Sequence, residues 1–202
     1  MTPTLQNTIK KASELPIDDS RYAVLNQLIE YIKKKIDSEQ AIRLNFICTH
    51  NSRRSQLSQI WAKTAAWMNG MDIEAYSGGV EVTAFNERAV ASCRRLGFEI
   101  EGDTNSSNPK YSVKLDENTQ IECFSKVYDD PTNPSSGFAA VMTCSDADEN
   151  CPFIPGTEAR IPLRYEDPKA FDDTELEAAK YDERSLQIAS EMLHIFRAIG
   201  RA

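Results

Sequence analysis

Histidine and positive charge are what this chain of 202 residues has least of. It carries only two histidines, His50 and His194, and 31 acidic side chains against 23 lysines and arginines, for a net charge of −8. That balance argues against nucleic acid, whose phosphates would be repelled. It also disfavours an acidic partner except at a local basic patch. No apolar run is long enough to span a membrane, and no signal-peptide core follows the N-terminus, so no membrane role is expected. Cysteines number five, and an odd count fits a reducing cytoplasm better than a secreted disulfide scaffold. Internal repeats and low-complexity tracts are absent. What remains is an ordinary globular balance, 41% hydrophobic and 27% charged, at a length that supports one domain with a substantial core.

Residues 1–40 read as a helical extension. Tyr22, Leu25, Leu28, Ile29, Ile32 and Ile36 recur at helical spacing, with Asp18, Asp19 or Ser20 placed to cap and Lys33–Lys35 in the last turn as a solvated, dipole-favoured end. The extension could cover an edge of the main domain, residues 41–202, or form a dimer contact. Beyond it, Ile42, Leu44 and Phe46 alternate with Arg43 and Asn45 and lead into Ile47 and Cys48, the pattern of a strand entering a core. A helix follows in which Leu57, Ile60, Trp61 and Ala65 share one face, ending near Asn69-Gly70. Residues 72–77 read as a second strand broken by Gly78-Gly79, and Ala89, Val90, Cys93 and Leu96 mark a second helix stopped by Gly97. Tyr111–Leu115 and Ile121–Val127 flank a turn and suggest a hairpin; residues 138–143 return to a buried strand. The last element, about 182–199, is an amphipathic helix. Strand, helix, strand, helix predicts an α/β fold with a parallel sheet and right-handed crossovers. Ligands in such sheets bind beyond the carboxyl ends of the strands, where Cys48 stands.

Two stretches carry chemistry. The first is Cys48-Thr49-His50-Asn51-Ser52-Arg53-Arg54-Ser55, a loop between a strand and a helix N-terminus. Such a loop gathers backbone N–H groups that lack intrahelical partners at the positive end of the helix dipole, and so makes an oxyanion site. Thr49, His50, Asn51, Ser52, Arg53 and Arg54 are its candidate binding residues. Cys48 opens it and Arg54 closes it; the guanidinium can grip an anion with two hydrogen bonds above the thiol. A C-x5-R spacing alone is a weak signal, and the preceding strand, Ser55 and the following helix strengthen it. The second stretch is Cys144-Ser145-Asp146-Ala147-Asp148-Glu149-Asn150-Cys151, at the end of the 138–143 strand. The polar filling between Cys144 and Cys151 predicts a flexible, wet segment rather than core packing. Zinc is poorly served by two histidines and a C-x6-C spacing. Cys93 reads as core, and no role follows for Cys123.

The first stretch resembles the phosphate loop of low-molecular-weight protein tyrosine phosphatases and of the arsenate reductases that share their fold. Cys144–Cys151 with Pro152 resembles the redox segment of the thioredoxin-coupled arsenate reductases, which plain phosphatases lack. Tyr165-Glu166-Asp167-Pro168 is similar to the late Asp-Pro loop that supplies the general acid. The likeness runs from Ile42 to the C-terminus, with the hairpin as an insertion. It implies a three-layer sandwich around a central parallel four-stranded sheet. It further implies arsenate reduction through Cys48, Cys144 and Cys151, with Arg54, Ser55 and Asp167 assisting, thioredoxin as reductant and no organic cofactor. Some relatives bind a potassium ion beside the loop. Asn51 and Ser77 align with two of its ligands, but Gln59 replaces a glutamate and no fourth ligand is identifiable, so no metal is expected. Three departures stand out. His50 occupies a usual glycine position and would need an uncommon backbone conformation. Arg53 replaces a cysteine and should add positive charge at the mouth. A tryptophan is missing before Asp167, with Tyr165 the nearest aromatic. Two rivals remain: a phosphatase acting on phosphate monoesters through a phosphocysteine, and a non-enzymatic oxyanion or redox sensor.

Overall fold

A computed structural model of the chain describes residues 1–102, 105–150 and 153–200. Helices α1 (Pro3–Glu14) and α2 (Tyr22–Asp37) precede β1 (Arg43–Cys48), α3 (Arg54–Met68), β2 (Glu74–Gly79) and α4 (Glu87–Arg95). Three short strands follow, β3 (Glu99–Gly102), β4 (Tyr111–Lys114) and β5 (Gln120–Cys123). The chain closes with β6 (Phe138–Met142), α5 (Ser145–Asn150), β7 (Thr157–Ile161) and α6 (Glu177–Gly200).

The central sheet has four parallel strands in the order β2-β1-β6-β7, flanked by helices, as expected. β1 lies inside the sheet, which is why its run from Leu44 to Cys48 is buried at every position rather than alternating. Leu44, Phe46, Ala139 and Val141 face the large core beneath α3 and α6. Ile47, Phe138, Ala140 and Met142 face a smaller cluster closed by Ala147 of α5, Ile154 and Tyr128. Cys48 and Cys144 belong to that smaller cluster.

Gly78 and Gly79 do not break β2; they are its last two residues, paired with Ile47 and Cys48. A Cβ on Gly78 would stand 2.4 Å from the Tyr128 Cα, and one on Gly79 would stand 2.7 Å from the Asn51 nitrogen. Their lack of side chains lets the loop after β1 lie against the strand end. The hairpin is present as β4 and β5, with the Asp116 carboxylate accepting from the Asn118 and Thr119 N–H groups in its turn. β3, which the sequence pattern did not reveal, adds a third antiparallel strand to it.

At the N-terminus, Thr2 caps α1, while Asp18 caps a short 3₁₀ turn instead of α2, which begins after Arg21 without a side-chain cap. Leu5, Ile9, Leu25, Leu28 and Ile32 join the same core as the sheet. Lys35 is not a solvated end: it is buried, paired with Glu158 of β7 and bonded to Gln40. The last helix starts five residues before the expected 182, at Glu177. No helix among the described residues is long and apolar enough to cross a membrane.

Candidate active site

Residues 49–53 connect the end of β1 to the start of α3, and their carbonyl groups are all tied outward. The Thr49 carbonyl accepts from the Val80 and Glu81 N–H groups, and that of Ser52 from Asn86. The carbonyl of His50 accepts from the Ser125 hydroxyl, that of Asn51 from the Gln56 side-chain amide, and that of Arg53 from the Leu57 N–H. The backbone N–H groups of residues 49–53 have no acceptor among the described residues. A loop whose carbonyls are all engaged while its N–H groups are not is suited to hold an anion.

Asn51, not His50, is the residue in the left-handed region, at φ 46°. Asparagine tolerates that conformation better than most side chains, and here its amide also bonds in both directions. Oδ1 accepts from the Lys126 N–H at 3.0 Å, while Nδ2 donates to Ser55 Oγ at 2.8 Å. Because Ser55 Oγ already accepts that bond, its own proton is free to point at Cys48 Sγ, 3.1 Å away. The serine is thus free to serve the sulfur as a donor, and does so when Cys48 is a thiolate, which has no proton to give. His50 turns its ring toward Glu81 at 3.4 Å and is half exposed.

Arg54 donates from Nη1 to the Tyr165 carbonyl at 3.0 Å and from Nη2 to Asp167 Oδ2 at 2.7 Å. Its Nε is buried without a partner. A buried guanidinium N–H left unpaired is costly, and an oxyanion in the loop would satisfy it. Asp167 also caps the turn after it through the Lys169 N–H. Arg53 does not add free charge at the mouth. Its Nε donates to the Tyr181 hydroxyl at 2.8 Å, and its Nη2 lies 3.4 Å from Asp172. The structure thus gathers Cys48, Ser55, Asn51, Arg54 and Asp167 around one loop, with Arg53 held between the framework and the site, its Nε also 3.9 Å from Asp167 Oδ1.

Cys144 is buried two residues past the end of β6, whose Met142 pairs with Ile47, the residue before Cys48. Its sulfur accepts from the Ala147 N–H at 3.3 Å and lies 3.5 Å from the Thr49 hydroxyl, which donates to Asp146 at 2.7 Å. Thr49 therefore joins the anion loop to the second cysteine. The segment after Cys144 is as wet as expected at Ser145, Asp146 and Glu149, which are exposed, but residues 145–150 form helix α5. Its Asp148 carboxylate receives Arg160 Nε and Arg164 Nε, each at 2.9 Å, and its carbonyl receives Arg160 Nη2. Cys151, the other thiol of the expected pair, lies outside the described residues. Cys93 and Cys123 are buried in the core, and burial pushes both thiols well above the ordinary range.

Asn51 and Ser77, the positions aligned with potassium ligands, are otherwise engaged: Asn51 as above, and Ser77 through its hydroxyl to Gln59 Oε1 at 2.6 Å. Both side chains are thus bonded within the protein, and Lys126, whose backbone N–H meets Asn51, is buried. Gln56, the bond from Thr49 to Asp146, and the Tyr165 carbonyl were not legible as parts of the site. Gln56 sits fully buried on α3 beside the apolar stripe, and no local signal separates it from a surface glutamine.

No protein-family model matches the chain. An arsenate reductase from Staphylococcus haemolyticus is 32% identical over 123 residues, 61% of this chain and 76% of that protein. One from Staphylococcus epidermidis is 30% identical over the same extent, and one from Staphylococcus saprophyticus 29% identical over 143 residues, 71% of this chain and 90% of that protein. Among solved structures, a low-molecular-weight phosphotyrosine phosphatase from Vibrio cholerae matches with a TM-score of 0.53 at 11% identity, over 78% of this chain and 96% of that one. A YwlE mutant from Bacillus subtilis matches with a TM-score of 0.55 at 11% identity, over 79% of this chain and 99% of that one. These structural matches speak to the fold alone.

Proposed function

The chain belongs to the arsenate reductase family, and on that premise we propose that it reduces arsenate to arsenite with its own thiols, in the cytoplasm. The observation that carries the reading is the placement of Cys144 against the loop of Cys48, bridged by Thr49. A phosphatase would use a second thiol there only as a redox guard for Cys48, whereas reduction of arsenate needs it in every turnover.

Arsenate enters the loop on the free N–H groups of residues 49–53 and the unpaired Nε of Arg54. The Cys48 thiolate, receiving the Ser55 hydroxyl proton as a hydrogen bond, attacks arsenic; an As–S bond forms and an As–O bond breaks. Asp167, carried next to the anion by Arg54, protonates the departing oxygen, which leaves as water. The Cys144 thiolate then attacks Cys48 Sγ. The As–S bond breaks with its electron pair passing to arsenic, so arsenic(V) becomes arsenite and a Cys48–Cys144 disulfide forms. Cys151 exchanges onto Cys144 and frees Cys48, and a dithiol such as thioredoxin reduces the resulting Cys144–Cys151 bond.

A coupled assay with thioredoxin, thioredoxin reductase and NADPH tests this. Arsenate-dependent NADPH loss that vanishes in Cys48→Ser, Cys144→Ser and Cys151→Ser is the expected result. Phosphate and arsenate have nearly the same shape and charge, and the Arg54–Asp167 pair would serve a phosphate ester equally. Steady aryl phosphate hydrolysis that needs Cys48 but not Cys144, with no NADPH loss, would establish the phosphatase instead.

A further inference from the structure

The short segment from Arg164 to Asp167 is held from several sides. Its Tyr165 carbonyl and Asp167 carboxylate are the two acceptors that aim Arg54. The Tyr165 N–H donates to the Thr143 carbonyl, one residue before Cys144, and the Arg164 side chain grips Asp148 of α5. What fixes this segment from behind is a residue of the N-terminal extension. Arg21 donates from Nη1 to the Arg164 carbonyl at 2.9 Å. From Nε and Nη2 it forks onto Glu191 of α6, at 2.9 and 2.8 Å. Glu191 is 1% exposed, and its Oε2 also accepts from the Tyr165 hydroxyl at 2.8 Å. The guanidinium carbon lies 5.0 Å from the Tyr165 ring centre. Burial beside the Glu191 carboxylate pushes the tyrosine hydroxyl well above its usual range, so it stays a proton donor.

We propose that Arg21 is a positioning residue of the active site, and that the N-terminal extension serves to hold the segment that aims Arg54 and Asp167. The physical reason lies in the donor geometry. One planar fork satisfies a buried carboxylate, and its third donor captures the carbonyl of the segment, so α6 and residues 164–167 are locked in one register. A lysine supplies the charge but has no rigid fork to reach both acceptors. The proposal rests on the reading of residues 48–54 as an oxyanion site and adds the helix that keeps it aligned.

The test uses the full chain with Arg21→Lys and Arg21→Met, and two readouts. One is arsenate turnover. The other is protection of Cys48 from iodoacetamide by inorganic phosphate, followed by mass spectrometry, which requires no turnover. Arg21→Lys should melt close to the parent chain yet need several-fold more phosphate for half protection, with kcat lowered about tenfold. Arg21→Met leaves Glu191 buried without its cation, so it should show the same site defects and a lower melting temperature. In an Asp167→Asn background, Arg21→Lys should cost markedly less kcat than in the parent, because one of the two groups it positions is already disabled. Parental phosphate protection and turnover in Arg21→Lys would overturn the proposal, as would strictly multiplicative losses with Asp167→Asn. If the parent chain fails to reduce arsenate, the functional reading falls while phosphate protection still decides the role of Arg21.

Discussion

Asn51 is where the loop is under most local constraint. Its φ of 46° costs an ordinary L-residue about 1–2 kcal/mol, and its amide satisfies both the Lys126 N–H and Ser55. The direction of those bonds matters more than their number. An asparagine donates to Ser55 Oγ and leaves the serine proton for Cys48. Asn51→Asp keeps the acceptor for Lys126 but presents a carboxylate to Ser55, which then donates its proton to the aspartate. The expected outcome is a folded protein in which Cys48 reacts with iodoacetamide about tenfold more slowly. Ser55→Ala should show a similar loss, since a hydrogen bond to a charged group contributes about 1.5–3 kcal/mol. An Asn51→Asp protein as reactive as the parent would show that the serine proton plays no part at the sulfur. Asn51→Gly separates the two burdens: it relaxes the backbone but leaves the Lys126 N–H without its acceptor.

Helix α5, only six residues long, is too short to hold itself together in water, so its order comes from tertiary bonds. Asp148, gripped by Arg160 and Arg164, and the buried Ala147 are the principal ones. Arg164 is nearly half exposed, which discounts its share for solvent screening. Asp148→Ala should nonetheless raise the alkylation rate of Cys144 by roughly tenfold, the effect of losing about one charge-assisted hydrogen bond, while Cys93 stays protected. Mass spectrometry after a short iodoacetamide pulse measures both, and an unchanged Cys144 rate would show that the arginines do not hold the helix shut. The reason α5 was illegible follows from the same point. Ser-Asp-Ala-Asp-Glu-Asn is turn-like composition, and only arginines 12 and 16 residues downstream make it a helix. β1, the loop and α3 were legible because a buried run, a polar break and a 3.6-residue stripe are local signals. β3 is defined by its pairing with β4, and β7 carries Glu158 and Arg160, whose partners lie in α2 and α5. The glycines closing β2 read as a break because a local rule cannot see Tyr128 and Asn51 pressing on them.

At the scale of the whole molecule, the placement of α1 and α2 governs whether the chain can be divided near residue 40. Leu5, Ile9, Leu25, Leu28, Ile29 and Ile32 are buried in the core that α3, α6 and the sheet also build. Burying a side chain of that size stabilises by about 1.5–3 kcal/mol as an upper estimate, so the six together match the net stability of a typical domain, about 5–15 kcal/mol. Removing residues 1–40 gives back the ordering entropy of those residues. It gives back none for α6, whose apolar face would stand in water while its backbone stayed ordered. Glu191 would lose Arg21, and His194 the edge of Tyr22, 5.4 Å between ring centres. A 41–202 fragment is therefore expected to lose its cooperative thermal transition or to melt far below the full chain, with exposed apolar surface reported by dye binding. Circular dichroism melts of the two chains measure this. A fragment melting at the same midpoint would make the two helices an appendage to the fold.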